Sequence, residues 1–229
     1  KIRASLEPTH LIVVWDGGFD ADRLAALPEY KAHRPSMPDD LRPQLDQIVS
    51  YLSAAGIPSY CGDGIEADDY IATLARKAAA LGWAVVIASS DKDFMQLVSD
   101  KIGLLNPNDK SGQIWQETQV RTKTGVMPSQ VVDWLALMGD TVDNIPGVRG
   151  VGPKTAAELI RRFGSVENLL TQLDEVSSEK LRQALTDTAK TIRRNLELVR
   201  LPQLRCEFSA EQVAIRRPER DRLGQLFSG

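Results

Sequence analysis

Apolar and polar positions in the first half of the chain follow a strand, helix, strand rhythm. Leu11 to Trp15 is a short apolar, β-branched run closed by Asp16, the pattern of a strand buried on both faces. Leu45, Ile48, Val49 and Leu52 recur at helical spacing, and Gly56 ends that helix. A short strand at Ile57 to Cys61 leads through an acidic turn into a helix from Ile71 to Leu81. Trp83 to Ala88 is the clearest buried strand, with Ser89-Ser90-Asp91-Lys92-Asp93 at its tip. A helix over Phe94 to Val98, a strand near Ile102 to Leu105, a polar turn from Asn106 to Gln113 and a hairpin arm at Gln113 to Gln116 follow. Strands and helices of these lengths in this order require right-handed crossovers, hence an α/β fold with a mostly parallel central sheet flanked by helices.

Between the first strand and the first long helix the apolar pattern lapses. Gly17 to Pro43 is a charged excursion containing Pro28-Glu29-Tyr30-Lys31-Ala32-His33-Arg34-Pro35. Tyr30, Lys31, Arg34 and Arg42 suit a phosphate backbone, and equally suit a loop that is merely solvated. The second half reads as helical. Pro128 opens a helix at the favoured first position that runs to Met138 with Val131, Val132, Leu135 and Met138 on one face. Further helices are expected near Val166 to Leu173, Ser178 to Leu185 and Thr188 to Val199, and the pattern fades after Leu201. This divides the chain into an α/β core over 1–125, including the excursion at about 17–45, and a helical region over 126–229.

Composition narrows the class. The 229 residues are 42% hydrophobic and 26% charged, with no apolar run near the ~20 residues of a membrane span. Cys61 and Cys206 fit neither a disulfide framework nor zinc spacing, so a reducing cytoplasm is expected. His10 and His33, the two histidines, have no nucleophile beside them, which leaves Ser/His and Cys/His catalysis without support. The chain begins at Lys1 without Met, in what reads as a helix running towards Glu7, and an N-terminal piece is expected to be missing. A net charge of −3 argues weakly against a nucleic-acid partner.

The placement of the acids changes that picture. Gly64-Ile65-Glu66-Ala67-Asp68-Asp69 puts three carboxylates at a helix start, where the macrodipole alone favours each by roughly 0.3–1 kcal/mol. Further acids close other elements: Asp16 after LIVVW, Asp91 and Asp93 after VVIASS, and Asp140 and Asp143 after ALMG. Ligand sites of parallel sheets gather at such strand ends. Eight carboxylates at one edge repel one another unless cations lie among them. Acids without His or Cys suit Mg²⁺ or Mn²⁺ and disfavour zinc, and two such ions about 4 Å apart can activate water and clamp a phosphodiester. Gly147-Val148-Arg149-Gly150-Val151-Gly152-Pro153-Lys154-Thr155 adds a tight glycine turn before a helix start, a ready anion site. Flanked by two short helices, it has the layout of a helix-hairpin-helix; an ordinary glycine-rich helix connection is the plainer alternative.

The ordered set Trp15-Asp16, PEYKAHRPSMPDDLR (28–42), GIEADD (64–69), SSDKDFMQL (89–97) and LALMGDTVDNIPGVRGVGPKTA (135–156) resembles the structure-specific 5′ nuclease (flap endonuclease) family over nearly the whole chain. The likeness is strongest to the bacterial 5′-3′ exonuclease domain of DNA polymerase I and its free-standing relatives. The resemblance implies a PIN-like core with a helical arch over the excursion, and a 5′-3′ exonuclease and flap endonuclease of branched DNA that serves replication and repair, with RNA primers as further substrates. It implies Asp16, Glu66, Asp68, Asp69, Asp91, Asp93, Asp140 and Asp143 as metal ligands or their water-mediated partners. Lys31 and Arg34, with Tyr30, would steer the scissile phosphate. Arg23, Arg42, Arg149, Gly150, Gly152, Lys154 and Thr155 would contact DNA, with K⁺ held at the hairpin. The family's first strand, ending in Asp-Gly and supplying another ligand, has no counterpart in this sequence, and Asp22 stands where an aromatic is usual. The alternative is therefore a structure-selective DNA-binding protein of little or no activity. The protein is expected in the bacterial cytoplasm, at the nucleoid, as a monomer away from membranes.

Overall fold

A computed structural model describes residues 2–228; Lys1, where the expected N-terminal helix begins, lies outside them. In chain order the elements are α1 (Ile2–Leu6), β1 (Val13–Trp15), α2 (Ala21–Ala26), α3 (Leu41–Ala54), β2 (Ser59–Cys61), α4 (Ala67–Ala80), β3 (Val85–Ala88), β4 (Ile102–Leu105) and β5 (Ile114–Trp115). Then come α5 (Glu117–Thr124), α6 (Val131–Met138), β6 (Gly139–Asp140), β7 (Ile145–Pro146), α7 (Pro153–Phe163), α8 (Val166–Thr171), α9 (Glu179–Asp187), α10 (Ala189–Val199), α11 (Ala210–Val213) and α12 (Arg220–Leu226). Three short 3₁₀ turns, Lys92–Leu97, Pro128–Gln130 and Leu173–Glu175, connect them. No helix among the described residues is long and apolar enough to cross a membrane.

The chain folds as two compact units. One holds the residues up to Asp20, Pro35–Ile71 and those from Gln203 onward; the other holds Ala21–Arg34 and Ala72–Pro202. These units cut across the linear division at residue 125, because the chain leaves the first unit and returns to it twice.

In the first unit β1 and β2 pair in parallel, with Val13 beside Ser59 and Trp15 beside Cys61. Both strands are shorter than their apolar runs. The Leu11 amide bonds the Val213 carbonyl at 2.8 Å, so the chain before Val13 already has another partner. Pro58 has no N–H to give and only accepts from Val13, at 3.0 Å. Helix α3 starts at Leu41, four residues before the expected Leu45, and carries Pro43 in its first turn, where a missing N–H costs nothing. The C-terminal segment, which has no clear pattern in the sequence, packs here. Arg216 and Glu219 donate their amides to Gly56 and Ala54, both at 2.8 Å. Gly56, at φ +70°, lies where a Cβ would come within 2.3 Å of the Arg216 oxygen, so its lack of a side chain permits the crossing.

The second unit holds the larger core. Leu135, Leu137, Ile160, Leu169, Leu185 and Ile192 are fully buried there, supplied by α6 through α10. Strands β3 and β4 pair in parallel, Val85 beside Ile102, and β5 adds an antiparallel arm through Leu105 and Ile114. The parallel pairings expected of the core are thus present, in small sheets of two and three strands. The helix expected over Phe94 to Val98 is the six-residue 3₁₀ turn Lys92–Leu97, begun by Asp91, whose Oδ1 accepts the Asp93 amide at 2.9 Å. Helix α5 has no amphipathic pattern to announce it. Its ends hold it: the Gln116 amide donates to Gln119 Oε1 at 2.9 Å, and Gly125 closes it at φ +81°.

Candidate metal centre

In the first unit Asp16 and Gly17 follow β1 directly. Gly17 donates to the Ile65 carbonyl at 3.0 Å and accepts from Gly64 at 2.9 Å, which sews the end of β1 to the acidic turn. A Cβ on Gly17 would fall 1.8 Å from the Gly62 oxygen, so the seam depends on glycine. The turn delivers Glu66, Asp68 and Asp69 at the start of α4, each with a carboxylate oxygen within 4.8 Å of the others. Glu66 and Asp69 are both 1% exposed. Asp68 Oδ1 accepts the Asp69 amide at 2.9 Å, one of the first-turn amides that lack a helical acceptor, while the carboxylates crowd together. Asp16 is exposed and outside this group, its Oδ1 accepting the Gly18 amide at 3.2 Å.

In the second unit Asp93, Asp140 and Asp143 form an equivalent group, again within 4.8 Å. Asp93 comes from the 3₁₀ turn; Asp140 and Asp143 come from the hairpin of β6 and β7, in which Asp140 opposes Ile145. The hairpin is narrow by necessity. Gly139 sits at φ +71° with no room for a Cβ, and a Cβ on Gly147 would lie 1.9 Å from the Met138 oxygen. Asp140 Oδ1 accepts the Val142 amide at 2.8 Å, and its Oδ2 lies 2.9 Å from Lys92 Nζ. Burial alone would lower Lys92, but its hydrogen bond and charge pairing with Asp140, joined by Asp93 and Asp91, hold its pKa above the usual lysine value. Burial raises Asp93 well above the usual carboxylate range, and the charges of Asp91 and Asp140 push it further. Asp93 Oδ1 is buried with no hydrogen-bond partner. Orphaned buried acceptors are costly, so an oxygen left bare among like charges fits a site built for a cation. Asp91 lies outside this group of three, its Oδ1 spent on the Asp93 amide.

The alternative of a merely solvated loop fails at Tyr30 and Lys31, while residues 32–44 of the excursion are exposed. Tyr30 and Lys31 are 4% exposed, and this stretch is stapled to the hairpin. Lys31 donates its amide to the Asp143 carbonyl at 3.0 Å, and Asn144 Nδ2 donates to Glu29 O at 2.7 Å. Lys31 and Asn144 both sit in the left-handed region, at φ 55° and 57°. On the Asp143 carboxylate, Arg34 donates at 2.7 Å, the Tyr30 hydroxyl at 3.4 Å, and Lys31 Nζ stands 4.0 Å away. The three residues expected at a phosphate therefore gather on one acid. Arg23, expected at the DNA backbone, is instead 7% exposed and donates to the carbonyls of Leu198 and Arg200 at 3.1 and 3.3 Å. Buried and bound to the end of α10, it anchors its own segment. Arg42 is exposed on α3.

The glycine turn hangs from α6 by backbone and apolar contacts. Val148 donates to Leu137 O at 2.9 Å, and Val151 donates to Val148 O at 3.0 Å. Val148 and Val151 are buried; Arg149, Gly150, Gly152 and Lys154 face out, and Thr155 is half-buried. Gly150 takes φ +83° at the tip, and Pro153 opens α7 at a Gly152 cap that makes no side-chain hydrogen bond. Amides at an uncapped helix start keep their donors for an anion. On α10, by contrast, Arg193 is already paired with Glu167 at 3.1 Å. Two residues beyond the sequence expectations touch the site: Lys92 on Asp140 and Asn144 beside Asp143. Lys92 is legible as the cation between two acids; the asparagine carries no local signal.

Residues 1–125 match the 5′-3′ exonuclease N-terminal, resolvase-like domain, and residues 126–221 match the 5′-3′ exonuclease C-terminal SAM fold. The chain belongs to the 5′-3′ exonuclease family. It is 40% identical over 220 residues to a 5′-3′ exonuclease of Aquifex aeolicus, covering 95% of this chain and 74% of that protein. It is 37% identical over 230 residues to DNA polymerase I of Bacillus caldotenax, covering 99% of this chain but only 26% of that protein, so it spans about a quarter of the polymerase. Among solved structures, the bacteriophage T5 D15 flap endonuclease in a pseudo-enzyme-product complex with DNA and metal ions aligns with a TM-score of 0.75 at 29% identity, over 88% of this chain and 77% of that one.

Proposed function

We propose that the protein is a divalent-metal-dependent 5′-3′ exonuclease and 5′-flap endonuclease that hydrolyses phosphodiesters in branched or nicked duplex DNA during replication and repair. The observation that carries this reading is the Asp93, Asp140 and Asp143 group, three carboxylates within 4.8 Å of one another around a bare buried oxygen. An all-oxygen donor set suits Mg²⁺ or Mn²⁺. In this reading Glu66, Asp68, Asp69, Asp93, Asp140 and Asp143 hold two or more such ions, with Asp16 and Asp91 acting through water. When bound, the metal supplies an acidified water and neutralises charge on the attacking and leaving oxygens.

The chain's own residues do the rest. Arg34, with a side chain 40% exposed, is the cation best placed to exchange Asp143 for a phosphate, and Lys31 and Tyr30 stand behind it on the same carboxylate. Arg149, Gly150, Gly152, Lys154 and Thr155 grip the duplex backbone without reading sequence, with K⁺ at the turn, and Arg42 adds a further phosphate contact. Function then divides along the chain: residues 1–125, joined by the acids Asp140 and Asp143, carry the chemistry, and the rest of 126–229 binds the duplex. RNA primers are secondary substrates, and the protein works as a monomer at the bacterial nucleoid.

A 5′-labelled flap incubated with Mg²⁺, with and without chelator, tests the reading. Cleavage should require the metal and collapse in Asp68→Ala and Asp140→Asn. Undiminished cutting in chelator, or full activity of both variants, rules out the metal centre.

A further inference from the structure

Helix α10 carries one polar side chain deep into the core of the second unit. Asn195 is fully buried, and its Nδ2 donates to the carbonyls of Ala136 at 3.1 Å and Pro146 at 2.7 Å. Both neighbours are carbonyl oxygens, so only the amide nitrogen can face them, and both of its hydrogens are spent. Ala136 lies in the last turn of α6, where carbonyls lack helical donors. Gly139 serves Leu135 and Val148 serves Leu137 at 2.9 Å, which leaves the Ala136 carbonyl to the asparagine. Pro146 lies at the far end of the hairpin. Asn195 therefore ties together the two ends of the segment that carries Asp140 and Asp143.

The residues after it receive two further segments of the site. Gln96, at the end of the 3₁₀ turn that holds Asp93, donates to Val199 O and accepts from the Leu201 amide, both at 3.0 Å. Arg23 reaches Leu198 and Arg200 from the stretch that holds Tyr30, Lys31 and Arg34. Three segments that meet at the acids are thus pinned to one rail, 195–201, far along the chain from any of them.

We propose that Asn195 is a positioning residue for the metal ligands Asp140 and Asp143, acting by fixing both ends of their hairpin. This rests on reading those acids as ligands. With the hairpin ends loosened, the carboxylates lose their fixed spacing and an ion must order them at its own expense. Outer partners of metal ligands typically change affinity by about 10- to 100-fold when removed.

The test is Mn²⁺ binding to the full chain without DNA, followed by electron paramagnetic resonance, together with thermal melting and the Mn²⁺ dependence of flap cleavage. Asn195→Ala should weaken by about 10- to 100-fold the Mn²⁺ site that Asp140→Asn also weakens, and shift the half-saturating Mn²⁺ for cleavage by the same factor. Asn195→Ser, which keeps one donor, should fall between and serves if the alanine variant does not fold. Ile192→Val, a fully buried change one turn away, should lower the melting temperature and leave Mn²⁺ binding alone. Wild-type Mn²⁺ binding in both Asn195 variants, or an equal loss in Ile192→Val, overturns the positioning role. A wild-type protein that binds no Mn²⁺ sinks the ligand assignment itself.

Discussion

Asp93→Asn should make the metal-free protein more stable and the metal-loaded protein less so. The side chain is 8% exposed, one oxygen has no hydrogen-bond partner, and Asp91 and Asp140 add like charge. Replacing the carboxylate by its isosteric amide removes the charge and keeps the volume. Relief of an unsatisfied buried charged group is worth roughly 1–3 kcal/mol, and each kcal/mol moves the melting point by about 2–4 °C in a protein of this size. In chelator the variant should therefore melt about 2–12 °C above the wild type. With metal the order should reverse, because a ligand at about 1,000 times its Kd stabilises the wild type by about 4.1 kcal/mol, more than the relief of roughly 1–3 kcal/mol, and the variant has lost a ligand. Differential scanning calorimetry in chelator and in Mg²⁺ reads both effects. A variant less stable than the wild type in chelator would show that Asp93 is well satisfied by the protein alone, with no need of a cation there.

The same geometry makes further changes predictable. Asp133 accepts the Val166 amide at 2.7 Å, but burial keeps its pKa raised despite that bond. Its folded form therefore holds its proton to higher pH than the unfolded chain, and stability should decline as pH rises from about 3.9 through the folded value; denaturant titrations should show this decline flattened in Asp133→Asn. Asn144→Gly keeps the left-handed backbone and loses only the bond to Glu29, so it should cost about 1 kcal/mol, while Asn144→Ala adds backbone strain for roughly 1–2 kcal/mol more; equal losses in urea unfolding would contradict the strain. Gly147→Ala should cost more than either, since its Cβ would sit 1.9 Å from the Met138 carbonyl, and its Mn²⁺ binding should weaken along with its stability.

The acids are legible in the sequence because chemistry crowds them at the ends of elements, where a strand-helix rhythm marks the boundaries. Glu66, Asp68 and Asp69 stand at the start of α4, and Asp140 just after α6, as the pattern implies. The glycine turn is readable for a similar reason: Gly147 and Gly150 sit where a side chain has no room or the backbone turns left-handed. The excursion is harder to read because composition reports charge and says nothing of partners. Lys31 is buried through its contacts with Asp143, 112 positions along the chain, and no local window contains that acid. Arg23 is hidden for the same reason, its acceptors being backbone carbonyls that every residue possesses. Helix α5 gives no periodic signal because its ends, more than its faces, define it.

The most direct measurement is an anomalous difference map from crystals of the protein soaked in Mn²⁺. If the acids of the second unit hold a catalytic ion, a peak lies about 2.1 Å from carboxylate oxygens of the Asp93, Asp140 and Asp143 group. A map with no ion touching any of the three, at Mn²⁺ that supports cleavage, would contradict it.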